Sequence, residues 1–566
     1  MTQFDLIVRG GTVIDGSGAP GRIADVAVRD GIIVEVGTFD GSAARVIDAE
    51  GALVTPGFVD IHTHYDGQAT WDSHLAPSAW HGVTTVVMGN CGVGFAPVRV
   101  GDRDRLIELM EGVEDIPGAA LHEGLSWQWE SFGEYLDEVE RRPHDIDVAA
   151  QVPHGALRLY VMGERGANRE AATPEEIATM GQLAADAVRA GALGFSTSRT
   201  LNHRTSRGEP TPTLTAAREE LVGIAEAIGR TGAGVLQVVS DLVDFDHELE
   251  TLRMMMQVSG RPLSISLAQA GRSSQQYRRL LDALTQANAE GLQMRAQVAA
   301  RAIGVLVGLQ ATVNPLRGCP TFKRLGALPL AALVERLGEA DVRAAIISEY
   351  AQHCLPIVGD ASRIFVLGSN PDYEPDAQAA VAAYAARAGC SAEEMLYDLL
   401  LADNGTALLY VPVLNYGEGN LDAVGEMLAH PFAVPGLSDG GAHVGTICDG
   451  SFPTSLLTHW GRDRTRGPRF ELPWLVNRQS RATAEAVGLL DRGLLAEGYR
   501  ADINVIDFDQ LRLHAPQLAF DLPAGGKRFL QSVDGYRHTF VAGIETYADG
   551  HATGALPGRL VRGSTS

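Results

Sequence analysis

Eight short apolar segments recur along the middle of the chain and alternate with stretches of helical character. Apolar strands joined by helical connections indicate a parallel sheet, and eight of them predict an α/β fold that closes into a (β/α)8, TIM-like barrel. One connection, TPEEIATMGQLAADAVRAG (173–191), opens with the Thr-x-x-Glu capping signature and ends in Gly, as is typical of a helix. The eight segments are VDIHTH (59–64), TTVVMGNCG (84–92), DVAAQVPHG (147–155), ALGFSTS (192–198), VLQVVSD (235–241), LSISLAQ (263–269), MRAQVAA (294–300) and AVPGLSDGG (433–441).

The two ends of the chain follow a different pattern. Residues 1–56 form β-branched bursts bounded by Gly or Asp-Gly, and residues 493–511 and 538–553 repeat this pattern. We therefore predict a small β-sandwich domain that is built from both chain termini. Its N-terminal part would occupy residues 1–56 and its C-terminal part residues 486–566.

The remaining stretch, residues 57–485, is assigned to the barrel. Between the seventh and eighth predicted strands lie about 130 residues (301–432), which is longer than any ordinary loop. This stretch contains helical sequences such as PDAQAAVAAYAARAG (375–389) and SAEEMLYDLLLAD (391–403). We predict a folded insertion between these two strands.

Charge and cysteine usage limit the classes of partner and compartment. The 566 residues include 46 basic and 70 acidic side chains, so the formal net charge of −24 disfavours a nucleic-acid or anionic-membrane partner. The five cysteines form no Cys-x-x-Cys pair, which favours a reducing compartment. The N-terminal MTQFDLIVRGG is typical of a strand rather than a signal peptide, and no apolar run is long enough to cross a bilayer. We predict a cytoplasmic protein without nucleic-acid or membrane partners, with association into a homo-oligomer left open.

Four side chains at the carboxyl ends of the predicted strands form a candidate metal site. Residues i and i+2 of a strand point to the same side, so His62 and His64 would project together from the end of the first strand. Cys91 ends the second strand and Asp439 the eighth, and closure of a barrel brings its first and last strands together. Imidazole, thiolate and carboxylate are donors that Zn²⁺ accepts. The alternatives are a polar rim, an inert buried thiol and an aspartate that caps a turn.

Five further residues near the same end of the barrel are candidates for contacting a substrate. They are His154, Arg158, Arg199, His203 and His443. Arginine binds carboxylates in a bidentate manner, which would suit an acidic substrate. The alternatives are structural histidines and solvated surface arginines.

With these residues in place, the chain resembles the amidohydrolase superfamily and, within it, the N-acyl-D-amino-acid deacylase (D-aminoacylase) group. The resemblance covers nearly the whole chain and rests on DLIVRGGTVIDGSG, VTPGFVDIHTHYD, GVTTVVMGNCG, GALGFSTS, SDGGAH and LLAEGYRADINVIDF. It implies that His62, His64 and Asp439 bind one metal. It also implies that Cys91 binds a second, more firmly held metal together with one histidine from strand five and one from strand six.

The two histidines that the resemblance requires on strands five and six are missing. They would fall near Val239 and Leu267, and neither VLQVVSDL nor LSISLAQA contains a histidine. A single ion on His62, His64 and Asp439, with Cys91 as a further donor, is the favoured arrangement, and one Zn²⁺ is the expected cofactor. A second ion, another divalent metal, and loss of the metal are alternatives. So is the recruitment of local substitute ligands, for which the candidates are His154, His203 and Asp241.

The resemblance implies a metal-dependent hydrolase that cleaves the amide bond of an N-acyl-D-amino acid or a related linear amide. A small-molecule amide would be its substrate. An ion on these ligands would activate water, with Asp439 acting first as base and then as acid. The insertion would act as a lid that selects the acyl group. The alternatives are a hydrolase of a cyclic amide, lactone or carbamate, and a non-catalytic binding protein that has lost the full metal centre.

Overall fold

The N-terminal segment contributes five strands to the structure, a computed structural model that describes residues 3–271 and 275–563. These strands are β1 (Phe4–Val13), β2 (Arg22–Arg29), β3 (Ile32–Gly37), β4 (Ala43–Asp48) and β5 (Leu53–Pro56). Asp30 and Gly31 join β2 to β3 and adopt φ of 52° and 74°. Asp-Gly is a favoured sequence for the two-residue turn of such a hairpin because both positions need positive φ.

The next seven strands belong to the barrel and alternate with helices. The strands are β6 (Phe58–Asp60), β7 (Val83–Met88), β8 (Asp147–Pro153), β9 (Gly194–Arg199), β10 (Val235–Ser240), β11 (Leu263–Leu267) and β12 (Met294–Val298). The helices are α1 (Gln68–Trp71), α2 (Arg103–Glu114), α3 (Gly118–Gly124), α4 (Phe132–Arg141), α5 (His154–Met162), α6 (Glu164–Ala167), α7 (Pro174–Ala190), α8 (Arg218–Gly229), α9 (Phe245–Ser259) and α10 (Gln276–Ala289). The capping box predicted for α7 is present, since Thr173 Oγ1 accepts from the Glu176 backbone N–H and Glu176 Oε2 accepts from that of Thr173.

The stretch after β12 builds a small sheet and several helices before the last barrel strand. Its elements are β13 (Ile303–Val307), α11 (Pro320–Leu325), α12 (Leu330–Leu337), α13 (Ala340–His353), β14 (Phe365–Val366), α14 (Val381–Ala388), α15 (Ala392–Gly405), β15 (Leu409–Leu414) and α16 (Asp422–Ala429). Strands β13 and β14 pair antiparallel with β15. Phe322, Leu333, Ile346 and Leu400 form a separate core here, whereas Val424 of α16 packs into the barrel core.

The eighth barrel strand, β16 (Ala433–Pro435), completes one parallel sheet in the order β16-β12-β11-β10-β9-β8-β7-β6. Beyond the two edge strands the backbone closes the ring, because Asp439 N–H donates to His62 O (3.1 Å) and His64 N–H donates to Gly440 O (2.8 Å). The predicted eight-stranded barrel is thereby confirmed. Helices α17 (Phe452–Ser455), α18 (Leu472–Gln479) and α19 (Arg481–Ala486) and a π-helical segment, Leu456–Asp463, follow β16.

Both chain termini meet in one nine-stranded sheet. The C-terminal strands are β17 (Ile503–Ile506), β18 (Arg512–Leu513), β19 (Gln517–Leu522), β20 (Gly526–Leu530), β21 (Val533–Asp534), β22 (Tyr536–Val541), β23 (Ile544–Ala548) and β24 (His551–Ala552). Antiparallel pairing of β5 with β17, with Val54 opposite Val505, joins the two ends in the order β24-β23-β22-β17-β5-β1-β2-β3, and β4 pairs with β1. This confirms the β domain predicted from both termini. Its nine strands are hydrogen-bonded to one another in one continuous sheet. The residue limits predicted for the domains stay predictions.

A buried ion-pair network connects the barrel to the C-terminal segment. Asp147, at the start of β8, is fully buried. Its two carboxylate oxygens accept from Arg492 Nη1 (2.7 Å) and Arg500 Nη2 (2.9 Å), both of which are also buried. Arg492 also pairs with Asp491 (2.9 Å) and Arg500 with Asp502 (3.2 Å), so Asp147 ties the barrel to a group of compensated charges in the C-terminal segment. In residues 3–271 and 275–563, no helix has the length and apolar character that a membrane crossing requires.

Candidate metal centre

His62 and His64 continue β6 into the mouth of the barrel and are both buried. Thr63 between them points the other way and donates from Oγ1 to Val87 O (2.9 Å). His62 Nε2 lies 3.5 Å from Asp439 Oδ1, and His64 Nε2 lies 3.7 Å from the same oxygen. The i, i+2 alternation of the strand therefore aims both rings at one carboxylate.

Cys91 joins this group from the turn after β7. Its φ of 55° is left-handed, and its backbone N–H donates to Gln237 Oε1 (3.2 Å), which holds the turn against β10. The Cys91 Sγ lies 3.3 Å from His62 Nε2. One ligand atom from each of His62, His64 and Cys91 can be chosen so that all lie within 4.8 Å of one another. The structure thus brings together the four residues predicted as metal ligands.

The donor set fits a divalent cation. Among the described residues, neither ring nitrogen of the buried His64 has a hydrogen-bond partner, which is costly unless another group satisfies them. Burial lowers the pKa of His62, and it lowers that of His64 to about 4, so both rings are neutral near pH 7, as ligands must be. Two imidazoles, one sulfur and one carboxylate suit Zn²⁺.

Asp439 is the most accessible of the four donors. Its side chain is 17% exposed, and it adopts a φ of 49° in the turn after β16. Burial acts to raise the pKa of Asp439, but the adjacent imidazoles of His64 and His62 outweigh it, so the pKa lies below its usual range. The carboxylate is therefore ionised at neutral pH and able to bind a cation or accept a proton.

Side-chain oxygens lie beside the Nδ1 atoms of both histidines. His62 Nδ1 donates to Gln297 Oε1 (2.6 Å), and Gln297 in turn donates from Nε2 to Ser264 Oγ (3.0 Å). His64 Nδ1 lies 3.4 Å from Glu114 Oε1. A proton on Nδ1 leaves the Nε2 lone pair free for a metal ion. Glu114, which lies on the same buried face of α2 as Ile107 and Met110, was not identified in the sequence analysis.

Strands five and six of the barrel direct polar side chains inward but no histidine. Gln237 of β10 contacts the Cys91 turn, so Val239 two residues later faces the same interior. On β11, Ser264 and Ser266 contact Gln297 and Gln237. Leu267 therefore points outward, into the core between strands and helices. The missing histidine of strand six is expected near Leu267. Because side chains alternate along a strand, the interior positions next to Leu267 are Ser266 and Ala268.

Two of the five predicted substrate residues lie at the mouth. His443 Nε2 is 3.4 Å from Glu114 Oε2, and its side chain is 30% exposed. His203 Nδ1 shares a hydrogen bond with Ser198 Oγ (2.9 Å). Burial is the largest cause that lowers the pKa of His203, to about 3. A substrate contact by His203 or His443 stays a prediction.

The predicted substrate residues His154 and Arg158 belong to a separate buried network. His154 Nε2 contacts Glu220 Oε1 and its Nδ1 contacts Thr197 Oγ1, both at 2.8 Å. Arg158 donates to Pro212 O (2.9 Å) and lies 3.4 Å from Glu220. These partners already bond to the polar atoms with which His154 and Arg158 would contact a substrate. A substrate contact by either residue stays a prediction.

Arg199 and Asp241 likewise bond to neighbouring parts of the protein. Arg199 Nε and Nη2 donate to Glu248 Oε1 at 3.0 and 2.6 Å. Asp241, which the sequence offers as a substitute ligand, accepts from Thr200 Oγ1 (2.5 Å) and from the Leu201 backbone (2.8 Å). Both carboxylate oxygens of Asp241 are thus bonded to residues that follow β9, and a ligand role for Asp241 stays a prediction.

Comparison with known proteins gives matches of three kinds: a family profile, curated relatives and a solved structure. The profile of the amidohydrolase family matches residues 45–547. A D-aminoacylase of Alcaligenes xylosoxydans xylosoxydans is 40% identical over 195 residues, which cover 34% of this chain and 37% of that protein. An N-acyl-D-aspartate deacylase of the same organism is 34% identical over 233 residues, which cover 41% and 42%. The chain thus matches about two-fifths of the length of these curated relatives.

A solved D-aminoacylase structure resembles the chain over its whole length. It has a TM-score of 0.66 and 25% sequence identity, and the superposition covers 99% of this chain and 100% of the other. That structure is described in terms of a binuclear metal centre with one-metal activation and second-metal attenuation.

Proposed function

Since the chain belongs to the amidohydrolase family, as the match over residues 45–547 shows, we propose that it is a metal-dependent hydrolase of N-acyl amino acids. The bond cleaved is the amide of an N-acyl-D-amino acid or a related linear amide. The observation that carries this proposal is the convergence of His62, His64, Cys91 and Asp439 at the carboxyl end of the barrel. The names of the D-aminoacylase and N-acyl-D-aspartate deacylase relatives support the substrate class.

One divalent ion, zinc by donor chemistry, is the proposed cofactor. His62, His64 and Asp439 would hold it, with Cys91 as the fourth donor. Valine at position 239 supports one ion rather than two, as does the one-metal activation described for the solved D-aminoacylase. When bound, such an ion supplies Lewis-acid chemistry, which lowers the pKa of water and polarises a carbonyl group.

Asp439 performs the proton transfers. Its ionised and partly exposed carboxylate accepts a proton from the water molecule that attacks the substrate carbonyl. The same carboxylate then passes this proton to the substrate nitrogen as the carbon–nitrogen bond breaks. The products are a carboxylate and an amine, and Asp439 returns to its ionised state.

The stretch after β12 is proposed to select the acyl group. It reaches the mouth directly, because Leu306 N–H donates to Thr446 O (2.6 Å) and Thr312 N–H donates to Gly445 O (2.9 Å). Both acceptors lie in the loop that carries His443. Residues around β13 therefore support one wall of the opening through which a substrate would enter.

Metal content and hydrolysis, measured together on untagged protein, test the proposal. We expect about one equivalent of zinc per chain, and hydrolysis of N-acyl-D-amino acids that chelation abolishes and zinc restores. The panel includes N-acyl-L-amino acids, cyclic amides, lactones and carbamates. Preference for a cyclic substrate would favour the alternative hydrolase, and protein without metal or activity would favour a binding role. A cytoplasmic location and a homo-oligomer stay predictions.

A further inference from the structure

A buried carboxylate without a role in the proposed reaction lies between two histidines of the mouth. Glu114 is the last residue of α2 and is 1% exposed. Its Oε1 lies 3.4 Å from His64 Nδ1 and its Oε2 lies 3.4 Å from His443 Nε2. Building on the proposed function, we propose that Glu114 is a positioning residue that orients His64 for metal binding and holds His443 at the mouth.

The backbone around α2 fixes where Glu114 lies. The helix ends there because Asp115 adopts a left-handed φ of 50°. Two residues before Glu114, Gly112 packs so closely that an added Cβ would lie 2.1 Å from the Thr205 carbonyl carbon. Ser206 N–H also donates to Glu108 O (2.9 Å). These contacts fix the position of the C-terminal end of α2. The side chain of Glu114 therefore starts from a fixed backbone position beside His64 and His443.

His64 depends on Glu114 for the orientation of its ring. Its Nε2 faces Asp439 while its Nδ1 faces Glu114, and among the described residues neither nitrogen has a shorter polar contact. A carboxylate beside Nδ1 holds the proton there and directs the Nε2 lone pair to the metal. Gln297 has the same relation to His62. Both histidines thus have a side-chain oxygen beside Nδ1, from the amide of Gln297 at His62 and from the carboxylate of Glu114 at His64.

His443 contacts Glu114 through both its side chain and its backbone. Its backbone N–H donates to Glu114 O, in addition to the side-chain approach of Nε2 to Oε2. His443 adopts a left-handed φ of 49°, a conformation that a non-glycine residue keeps only when its surroundings hold it. Because the same loop begins with Asp439, Glu114 also restrains the loop that supplies this ligand.

Zinc affinity of variants at position 114 tests the proposal directly. Glu114→Gln keeps the shape but leaves one oxygen for two rings, and Glu114→Leu removes both oxygens. We expect zinc binding, measured by competition with a chromophoric chelator, to weaken about 10- to 100-fold, with the leucine variant weaker than the glutamine variant. Glu111→Gln is the matched control on the same helix. Its carboxylate accepts from Gly118 N–H (2.9 Å), away from the ligands, so we expect wild-type affinity.

Thermal unfolding separates positioning of ligands from a general structural role. The metal-free Glu114→Gln protein should unfold near the wild-type temperature, whereas the rise in unfolding temperature on adding zinc should be smaller than in wild type. Wild-type zinc affinity in both Glu114 variants, or an undiminished rise on adding zinc, would overturn the proposal alone. Wild-type protein that binds no zinc would overturn the proposed function, and this inference with it.

Discussion

Zinc uptake by this centre should release protons, so the affinity for zinc should rise with pH. Burial raises the pKa of Cys91 well above its ordinary value, and the thiol must ionise to become a ligand. His62 and His64 contribute no proton near neutrality, because burial lowers the pKa of both, that of His64 to about 4. Asp439 is already ionised. Burial also raises the pKa of Glu114, which adds a second proton if this carboxyl group ionises beside the cation.

The magnitude follows from proton linkage. Each proton released on binding raises the affinity about tenfold per pH unit, or about 1.4 kcal/mol. Between pH 6.5 and 8.5 we therefore expect an increase of about 100-fold from Cys91 alone and of about 10,000-fold if Glu114 also ionises. Chelator competition at several pH values gives the slope, and calorimetry in two buffers of different ionisation enthalpy gives the proton count.

Two variants assign the protons to their sources. Cys91→Ser should lower the proton count by one, and Glu114→Gln should remove only the contribution of the carboxyl group. Affinity that is constant or falls as pH rises would refute the assignment of Cys91 as a ligand thiolate. An unchanged proton count in Cys91→Ser would do the same.

Four further variants test other parts of the structure. His62→Ala and Asp439→Asn should each abolish turnover with an unchanged circular dichroism spectrum, and retained turnover in either would contradict its role. Asp147→Ala removes the carboxylate that two buried arginines share, although Arg492 keeps Asp491 and Arg500 keeps Asp502, and should cost about 1–3 kcal/mol of unfolding free energy, measured by urea denaturation. Gly92→Ala forces a side chain into a φ of 68° and 3.0 Å from the Ser198 backbone nitrogen. It should displace the Cys91 turn and weaken zinc binding, and unchanged affinity would show that the turn tolerates the strain.

The barrel and the convergence of the four candidate ligands are the parts that the sequence predicts best. Strands of a parallel barrel are buried on both faces, by helices on the outside and by packed side chains on the inside. They are therefore continuous apolar runs, which distinguishes them from the amphipathic helices between them. The histidine pair follows from the two-residue period of a strand. Cys91 and Asp439 follow from their positions at the carboxyl ends of strands, which the fold brings to one rim.

Predictions about His154 and Arg158 depended on the direction of side chains, which the sequence leaves open. His154 follows β8 at once, but it is also the first residue of α5, so its side chain follows the helix. Arg158 lies four residues later on the same helical face, and both reach Glu220 of α8. Position at the end of a strand was therefore an insufficient guide, because the helix begins without an intervening loop.

Glu114 shows the converse case, in which a residue at the centre carries only a faint sequence signal. In LIELMEGVED it is one of four acidic residues, and only its spacing from Ile107 and Met110 places it on the apolar face of α2. A charged residue on such a face needs a partner, but its partners His64 and His443 come from distant parts of the chain. Helix periodicity can flag the residue as unusual, whereas tertiary packing alone identifies what it contacts.

The register of strands five and six bears on how many ions the centre holds. Gln237 occupies an interior position of β10 and accepts from the Cys91 backbone, so this strand supports the cysteine turn without supplying a ligand. On β11 the interior positions carry serines, and Ser266 hydrogen-bonds to Gln237 (3.4 Å). The interior beside Cys91 is thus filled by neutral side chains bonded to one another, while its sulfur faces His62 on the other side. That asymmetry supports a single ion between strands one, two and eight, since a second ion beside strands five and six would meet amides and hydroxyls in place of imidazoles.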